Sequence, residues 1–233
     1  MTSQQKASLC FKDSTIRNGF VRKVFALLTV MLLIVSVMAA VPFVFPSLKD
    51  SIQDDPIPFF ISLGVFVVVS ILLICIERLR RNVPYNLIAM GILAVATGYM
   101  IMMICSFLDI VAVLMAFGGT TVACLLVAGF ALQTKVDLYS KFGGLFVFFS
   151  LFLLAGVLFS FTALAQVPAL MCLYSWLGVV LFMLFFAIDI QLVMGGHRFA
   201  IDEEEYVFAA LTLFLDIINI LIRLLSLVGG SGK

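Results

Sequence analysis

The chain has 233 residues, of which 64% are hydrophobic and only 12% charged. Soluble domains are about half apolar and about a quarter charged, so the composition excludes an ordinary soluble domain and points to a polytopic protein whose first partner is the lipid bilayer. A formal net charge of +1 supplies no field for collecting nucleic acid, and no nucleic-acid partner is expected.

Residues 1–23 are polar, too long a stretch for the leading region of an ordinary signal peptide, and read as a retained N-terminal segment. Seven apolar runs follow, at 24–45, 57–76, 87–107, 110–132, 142–165, 167–194 and 206–228. A spanning helix needs about 20 residues, and every run reaches that length. The expected fold is therefore an all-α membrane domain over 24–228 with seven transmembrane helices, followed by a flexible Gly-rich tail at 229–233. The run at 167–194 is longer than a bilayer requires, which predicts tilt or a protruding end.

Basic residues set the expected orientation. Lys6, Lys12, Arg17, Arg22 and Lys23 precede the first run; Arg78, Arg80 and Arg81 follow the second; Lys135, Lys141 and Arg198 lie in later loops of the same side. These are eleven of the 14 Lys and Arg residues, and the positive-inside rule puts that side, with the N-terminus, in the cytoplasm. Seven complete spans place the C-terminus opposite. The competing topology makes 206–228 a re-entrant hairpin with a cytoplasmic C-terminus, because Asp216, Asn219 and Arg223 make this run the least hydrophobic.

Two acids stand inside apolar runs, Asp189 and Asp216. A carboxylate at the centre of a spanning helix costs about 2.5–3.5 kcal/mol on insertion scales, so such residues mark working sites. Asp216 lies ten residues beyond Tyr206, about 15 Å into the helix, and Asp189 lies five residues before Met194, about 8 Å from its end. Antiparallel neighbours bring these depths within reach. Two carboxylates meeting in low dielectric cannot both ionise cheaply, so they share a proton and titrate as a pair. Thr212, Asp216, Asn219 and Arg223 are spaced by four, three and four, one stripe of a 3.6-residue helix. Such a polar seam faces other helices rather than lipid, which makes the last helix the central one. It serves either as glue between helices or as a functional lining.

Arg78, at the boundary of the second run, either snorkels to headgroups or turns inward as a counter-ion to the pair; Arg80 and Arg81 read as topology charges. Asp202 and Glu205 have capping-box spacing before the last helix, and with Glu203 and Glu204 they offer an acidic cytoplasmic mouth that attracts cations. The five cysteines are scattered without a CxxC, so they read as packing residues, with acylation of Cys10 as the alternative for that one. His197 is the lone histidine, too few nitrogen or sulfur ligands for a zinc hydrolase, and no nucleophile elbow or phosphate loop occurs. No catalytic residues and no cofactor are expected. An intramembrane aspartyl protease remains the minority enzymatic reading, since two aspartates on adjacent helices are its minimum.

Residues 195–211, Gly195-Gly-His-Arg-Phe-Ala-Ile-Asp-Glu-Glu-Glu-Tyr-Val-Phe-Ala-Ala-Leu211, followed by Leu215-Asp-Ile-Ile-Asn-Ile220, closely resemble the transmembrane Bax inhibitor motif family, best its Lifeguard and Golgi anti-apoptotic branch. Arg81-Asn-Val-Pro-Tyr-Asn-Leu-Ile88, Gln133-Thr-Lys-Val-Asp137 and Ala187-Ile-Asp-Ile-Gln-Leu192 resemble the same branch, and the likeness covers about 21–228. The resemblance implies seven helices wrapped around a central last one. It implies a pH-sensitive calcium leak in the Golgi, the endoplasmic reticulum, another endomembrane or the plasma membrane. It also implies suppression of apoptosis, with apoptosis-regulating membrane proteins as partners. Carried over by motif, Asp189 and Asp216 resemble the family's paired aspartates, which makes them the path offered to calcium as transported ion, and Arg78 resembles an arginine that pairs with them. The chain departs from the pattern at Asp202-Glu203, where Ser-Pro is common, at Thr212 and Phe214, where Asn and Tyr are common, and at Arg223, a position not usually basic. Arg223 shares the Asp216 face and is the rival counter-ion.

Two functions are expected to compete: a cation leak gated by the aspartate pair, and a non-conducting membrane protein that acts through partner contacts.

Overall fold

The structure is a computed structural model, described here for residues 3–134, 142–160, 167–194 and 205–230. Among the described residues every regular element is a helix. In chain order these are α1 (Ser3–Val44), α2 (Pro46–Asp54), α3 (Ile57–Cys75), α4 (Glu77–Arg81), α5 (Tyr85–Ser106), α6 (Ile110–Gln133), α7 (Phe142–Ser160), α8 (Pro168–Met194) and α9 (Tyr206–Gly230).

Six helices are long and apolar enough to span a bilayer: those over Arg17–Val44, Ile57–Cys75, Tyr85–Ser106, Ile110–Gln133, Ala169–Met194 and Tyr206–Gly229. Six, rather than the expected seven, is the number the described residues establish. The remaining run expected at 142–165 corresponds to α7, and its last residues lie outside those described.

The ends of the helices differ from the apolar runs for local reasons. α1 starts far ahead of residue 24, because Ser3 to Lys23 contains no Pro and continues the same helix. Pro46 opens α2, where a residue without an N–H costs a helix nothing. This short helix was not foreshadowed by an apolar run. Ile52 anchors it in the core, and the Gln53 amide donates to the Ser106 carbonyl over 2.6 Å. Ile76 adopts an extended conformation that separates α3 from α4.

α9 packs against α8, α6, α1 and α5, and touches α4, which makes it the central helix. The reason lies in its two faces. Val207, Ala210, Leu211, Phe214, Ile218, Leu221 and Leu225 are all buried, while the polar residues Thr212, Asn219 and Arg223 are partly buried among neighbouring helices. In lipid, apolar surface alone does not drive helices together; close packing and small residues do. α1 and α5 meet in this way at Gly98, where an added Cβ would stand 2.5 Å from the Met38 sulfur. The outer faces of α3 and α6 carry exposed Val67, Val68, Ile71, Leu114, Leu125 and Leu126, the surface that a bilayer covers.

Candidate functional site

Among the described residues α8 and α9 form one of the two most extensive helix pairs, the other being α1 with α5, and this pairing positions both intramembrane acids. Asp189 on α8 and Asp216 on α9 lie within hydrogen-bonding reach of each other. Thr212, one turn before Asp216 on the same face, is also within reach of Asp189, while its hydroxyl donates to the Ala209 carbonyl at 3.2 Å. Asp216 is 8% exposed, and among the described residues its Oδ2 makes no hydrogen bond. The cluster thus holds two carboxyl groups, one hydroxyl and a carboxyl oxygen with acceptor capacity to spare, in an otherwise apolar wall.

That wall includes a cavity of about 260 Å³ between α1, α6, α8 and α9. Ile190, which follows Asp189, and Ile217 and Ile218, which follow Asp216, line it with Phe117 and Leu221. Thr120 and Thr121 also face it, but their hydroxyls donate to Ala116 and Phe117 of their own helix at 2.8 and 2.9 Å. The cavity is thus lined mainly by apolar side chains, with the threonine hydroxyls tied to their own helix.

The expected polar seam divides in two. Thr212 and Asp216 form the cluster, whereas the Asn219 amide donates to the Leu215 carbonyl of its own helix at 2.8 Å. Arg223 lies beside Phe152 and Tyr174, its guanidinium carbon 5.3 and 4.7 Å from their ring centroids. Arg78 is exposed on α4. Among the described residues neither Arg78 nor Arg223 forms an ion pair, so the structure brings neither proposed counter-ion to the aspartates.

Among the described residues, the arginines that engage an acid are the two read from sequence as topology charges. Arg80 Nε lies 2.9 Å from Glu205 Oε2 and Arg81 Nε lies 2.9 Å from Glu205 Oε1. Arg81 also pairs with Glu77 at 2.8 Å. Arg80 donates to the Ile74 carbonyl at 2.8 Å and rests 4.9 Å from the Phe208 ring centre. Glu205 is 8% exposed, so its carboxylate and the Arg80 pair are sheltered at the head of α9, while Arg81 reaches it from a more exposed side. Next to them the Asn86 amide donates to Tyr206 Oη at 3.1 Å, and Lys23 stands 5.6 Å from the Tyr206 ring centre. Of the four acids expected at a mouth, Glu205 is thus turned inward as the partner of two arginines; Asp202, Glu203 and Glu204 lie outside the described residues, as does the other half of the expected capping box. Glu205 stands eleven residues before Asp216, about 16 Å along the helix. What could have found this lock is the coincidence of a Glu directly before a spanning helix with an Arg-rich turn on the same side of the membrane.

A second clasp closes the same end. Arg17 on α1 donates to the carbonyls of Met194, Val193 and Leu192 at 3.0, 3.1 and 3.3 Å. A helix C-terminus presents unpaired carbonyls and a partial negative charge, which a guanidinium satisfies.

Residues 17–233 match the family described as Bax1-I, inhibitor of apoptosis-promoting Bax1. The chain is similar to human protein lifeguard 3, with 36% identity over 219 residues, which cover 93% of this chain and 70% of the relative. It is similar to mouse protein lifeguard 3 at 33% identity, over 93% of this chain and 71% of the relative. With mouse protein lifeguard 4 it shares 32% identity over 220 residues, 94% of this chain and 87% of the relative.

Proposed function

We propose that this chain, which belongs to the family of Bax1-I apoptosis inhibitors, is a multi-pass membrane protein that leaks calcium under the control of its Asp189–Asp216 pair and thereby suppresses cell death. One observation carries the reading: two carboxyl groups on adjacent apolar helices lie within hydrogen-bonding reach. While the pair holds its shared proton it carries at most one negative charge, and a carboxyl proton occupies an oxygen that a cation needs. Loss of that proton exposes a second carboxylate, and repulsion between the two favours either separation of α8 from α9 or entry of a cation between them. Calcium is an oxygen-seeking ion that takes six to eight ligands. Among the described residues no group of three or more His, Cys, Asp or Glu side chains stands ready to hold a metal, so the pair acts as a transit point rather than a storage site. Flux accordingly rises with pH. The Arg80–Glu205–Arg81 lock and the Arg17 clasp hold the cytoplasmic ends of α9 and α8 while the path is closed.

The family description supports the anti-apoptotic half of the proposal; the proposed membrane is an endomembrane such as the Golgi or endoplasmic reticulum, or the plasma membrane. The family description, which refers to inhibition of Bax1 action, favours a second reading, a non-conducting protein that acts by touching apoptosis-regulating membrane partners. Purified protein in liposomes separates the two. Calcium release by the pure chain that rises between acidic and alkaline pH supports the leak. Liposomes that stay tight at every pH, with protection of cells that depends on a partner, would leave the second reading standing.

A further inference from the structure

Arg223 is a cation inside a spanning helix that pairs with no acid among the described residues. It lies seventeen residues beyond Tyr206 and seven before Gly230, about 26 Å and 10 Å along the helix from its two ends. With a hydrocarbon core of about 30 Å, the guanidinium sits near the membrane surface opposite the Arg80–Arg81 end. Its Nε is buried and makes no hydrogen bond among the described residues. Phe152 and Tyr174 are stacked on each other at 4.4 Å with their planes 6° apart, and the guanidinium carbon is 5.3 and 4.7 Å from the two centroids. These three distances form a nearly equilateral triangle, so the aromatic pair supports one side of the guanidinium; Nε is enclosed, and the two terminal nitrogens are the part of the fork left to another partner. The floor is Gly178: a Cβ there would lie 3.0 Å from Arg223 Cδ, Arg223 Nε and Phe152 Cζ. Ser226, one turn beyond Arg223, shares a 3.3 Å hydroxyl contact with Ser175. Residues 161–167, which follow α7 in the sequence, contain no Asp or Glu.

An aromatic ring offers a cation less than a charge-assisted hydrogen bond does. A planar guanidinium instead matches phosphate, which takes two of its N–H groups at once. A bilayer supplies phosphate at this depth, and a long arginine stem laid along apolar surface delivers its head there. We propose that Arg223, held by Phe152, Tyr174 and Gly178, is a phosphate-binding residue that takes the headgroup of a phospholipid in the leaflet opposite the Arg80–Arg81 end. The site is independent of the aspartate pair and does not rest on calcium conduction.

Native mass spectrometry of the full chain released from detergent tests this with three probes: phosphatidylcholine, diacylglycerol with the same acyl chains, and inorganic phosphate. One phosphatidylcholine is expected to remain bound where diacylglycerol does not. Arg223→Gln weakens that binding about tenfold, the loss of one charge-assisted contact. Arg223→Lys, which keeps the charge but loses the fork, falls between. Gly178→Ala favours a helix intrinsically yet pushes the guanidinium from its seat, so it weakens binding without unfolding the protein. Displacement of the lipid by millimolar inorganic phosphate would assign the site to the free anion and overturn its lipid source. Equal retention of diacylglycerol, or unchanged phosphatidylcholine binding in both Arg223→Gln and Gly178→Ala, would overturn the proposal.

Discussion

Replacing Glu205 with Gln should loosen the head of the central helix. The carboxylate sends each oxygen to a different arginine at 2.9 Å. Glutamine keeps the outline but has one acceptor, and its NH2 then faces a guanidinium. A hydrogen bond to a charged group contributes about 1.5–3 kcal/mol. The two halves are not equal: the side chain of Arg80 is 15% exposed and that of Arg81 is 39% exposed, so solvent screens the second pair and its contribution falls below about 1 kcal/mol. The expected loss is about 2–4 kcal/mol, most of it from leaving Arg80 sheltered without its anion. Reversible unfolding of the purified protein in mixed micelles gives the total. Hydrogen exchange should quicken over residues 77–86 and 205–210 and stay unchanged elsewhere. In a double-mutant cycle, Glu205→Gln with Arg80→Gln should show coupling of about 1.5–3 kcal/mol, well above that with Arg81→Gln. Parental stability in Glu205→Gln, or equal coupling for the two arginines, would refute the reasoning.

Three other perturbations have defined outcomes. Arg17→Ala removes the donor to the carbonyls of Leu192, Val193 and Met194 and should cost about 0.5–2 kcal/mol, with faster exchange confined to the last turn of α8 and the adjoining part of α1. Gly98→Val drives a branched side chain toward Met38 and should destabilise by about 1–3 kcal/mol, read as a lower unfolding midpoint that Met38→Ala partly restores. Arg78 is exposed and forms no ion pair among the described residues, so Arg78→Gln should leave the dependence of calcium flux on pH in place; a displaced curve would show that this arginine reaches the aspartates in another state.

The parts of this architecture that depend on local pattern were readable from the chain, and those that depend on three-dimensional neighbours were not. Spanning length and apolar content are local, so the runs at 57–76, 87–107 and 110–132 lie close to α3, α5 and α6. The central place of α9 was readable too, because acid, amide and guanidinium on one spanning helix cannot face lipid. The depths of Asp189 and Asp216 are local too, a count of residues from the end of each apolar run. The destination of a long charged side chain is another matter. Arg78, Arg80 and Arg81 point in three different directions around one short helix, and sequence does not say which direction the break at Ile76 points toward Glu205. Arg223 shares a stripe with Asp216, but seven residues separate them by two turns, and Gly178 opens a nearer seat beside Phe152. The helix α2 is not among the apolar runs because its nine residues are too few and too polar to cross a bilayer.

The most direct test of the central claim is calcium flux from proteoliposomes measured across pH for the parent, Asp189→Asn and Asp216→Asn. Asparagine preserves the size of each side chain and removes its proton chemistry. The aspartate-pair account predicts that parental flux rises with pH and that either substitution flattens the curve, because one acid without its neighbour has no shared proton to release. Two variants that both retain the parental curve would contradict it.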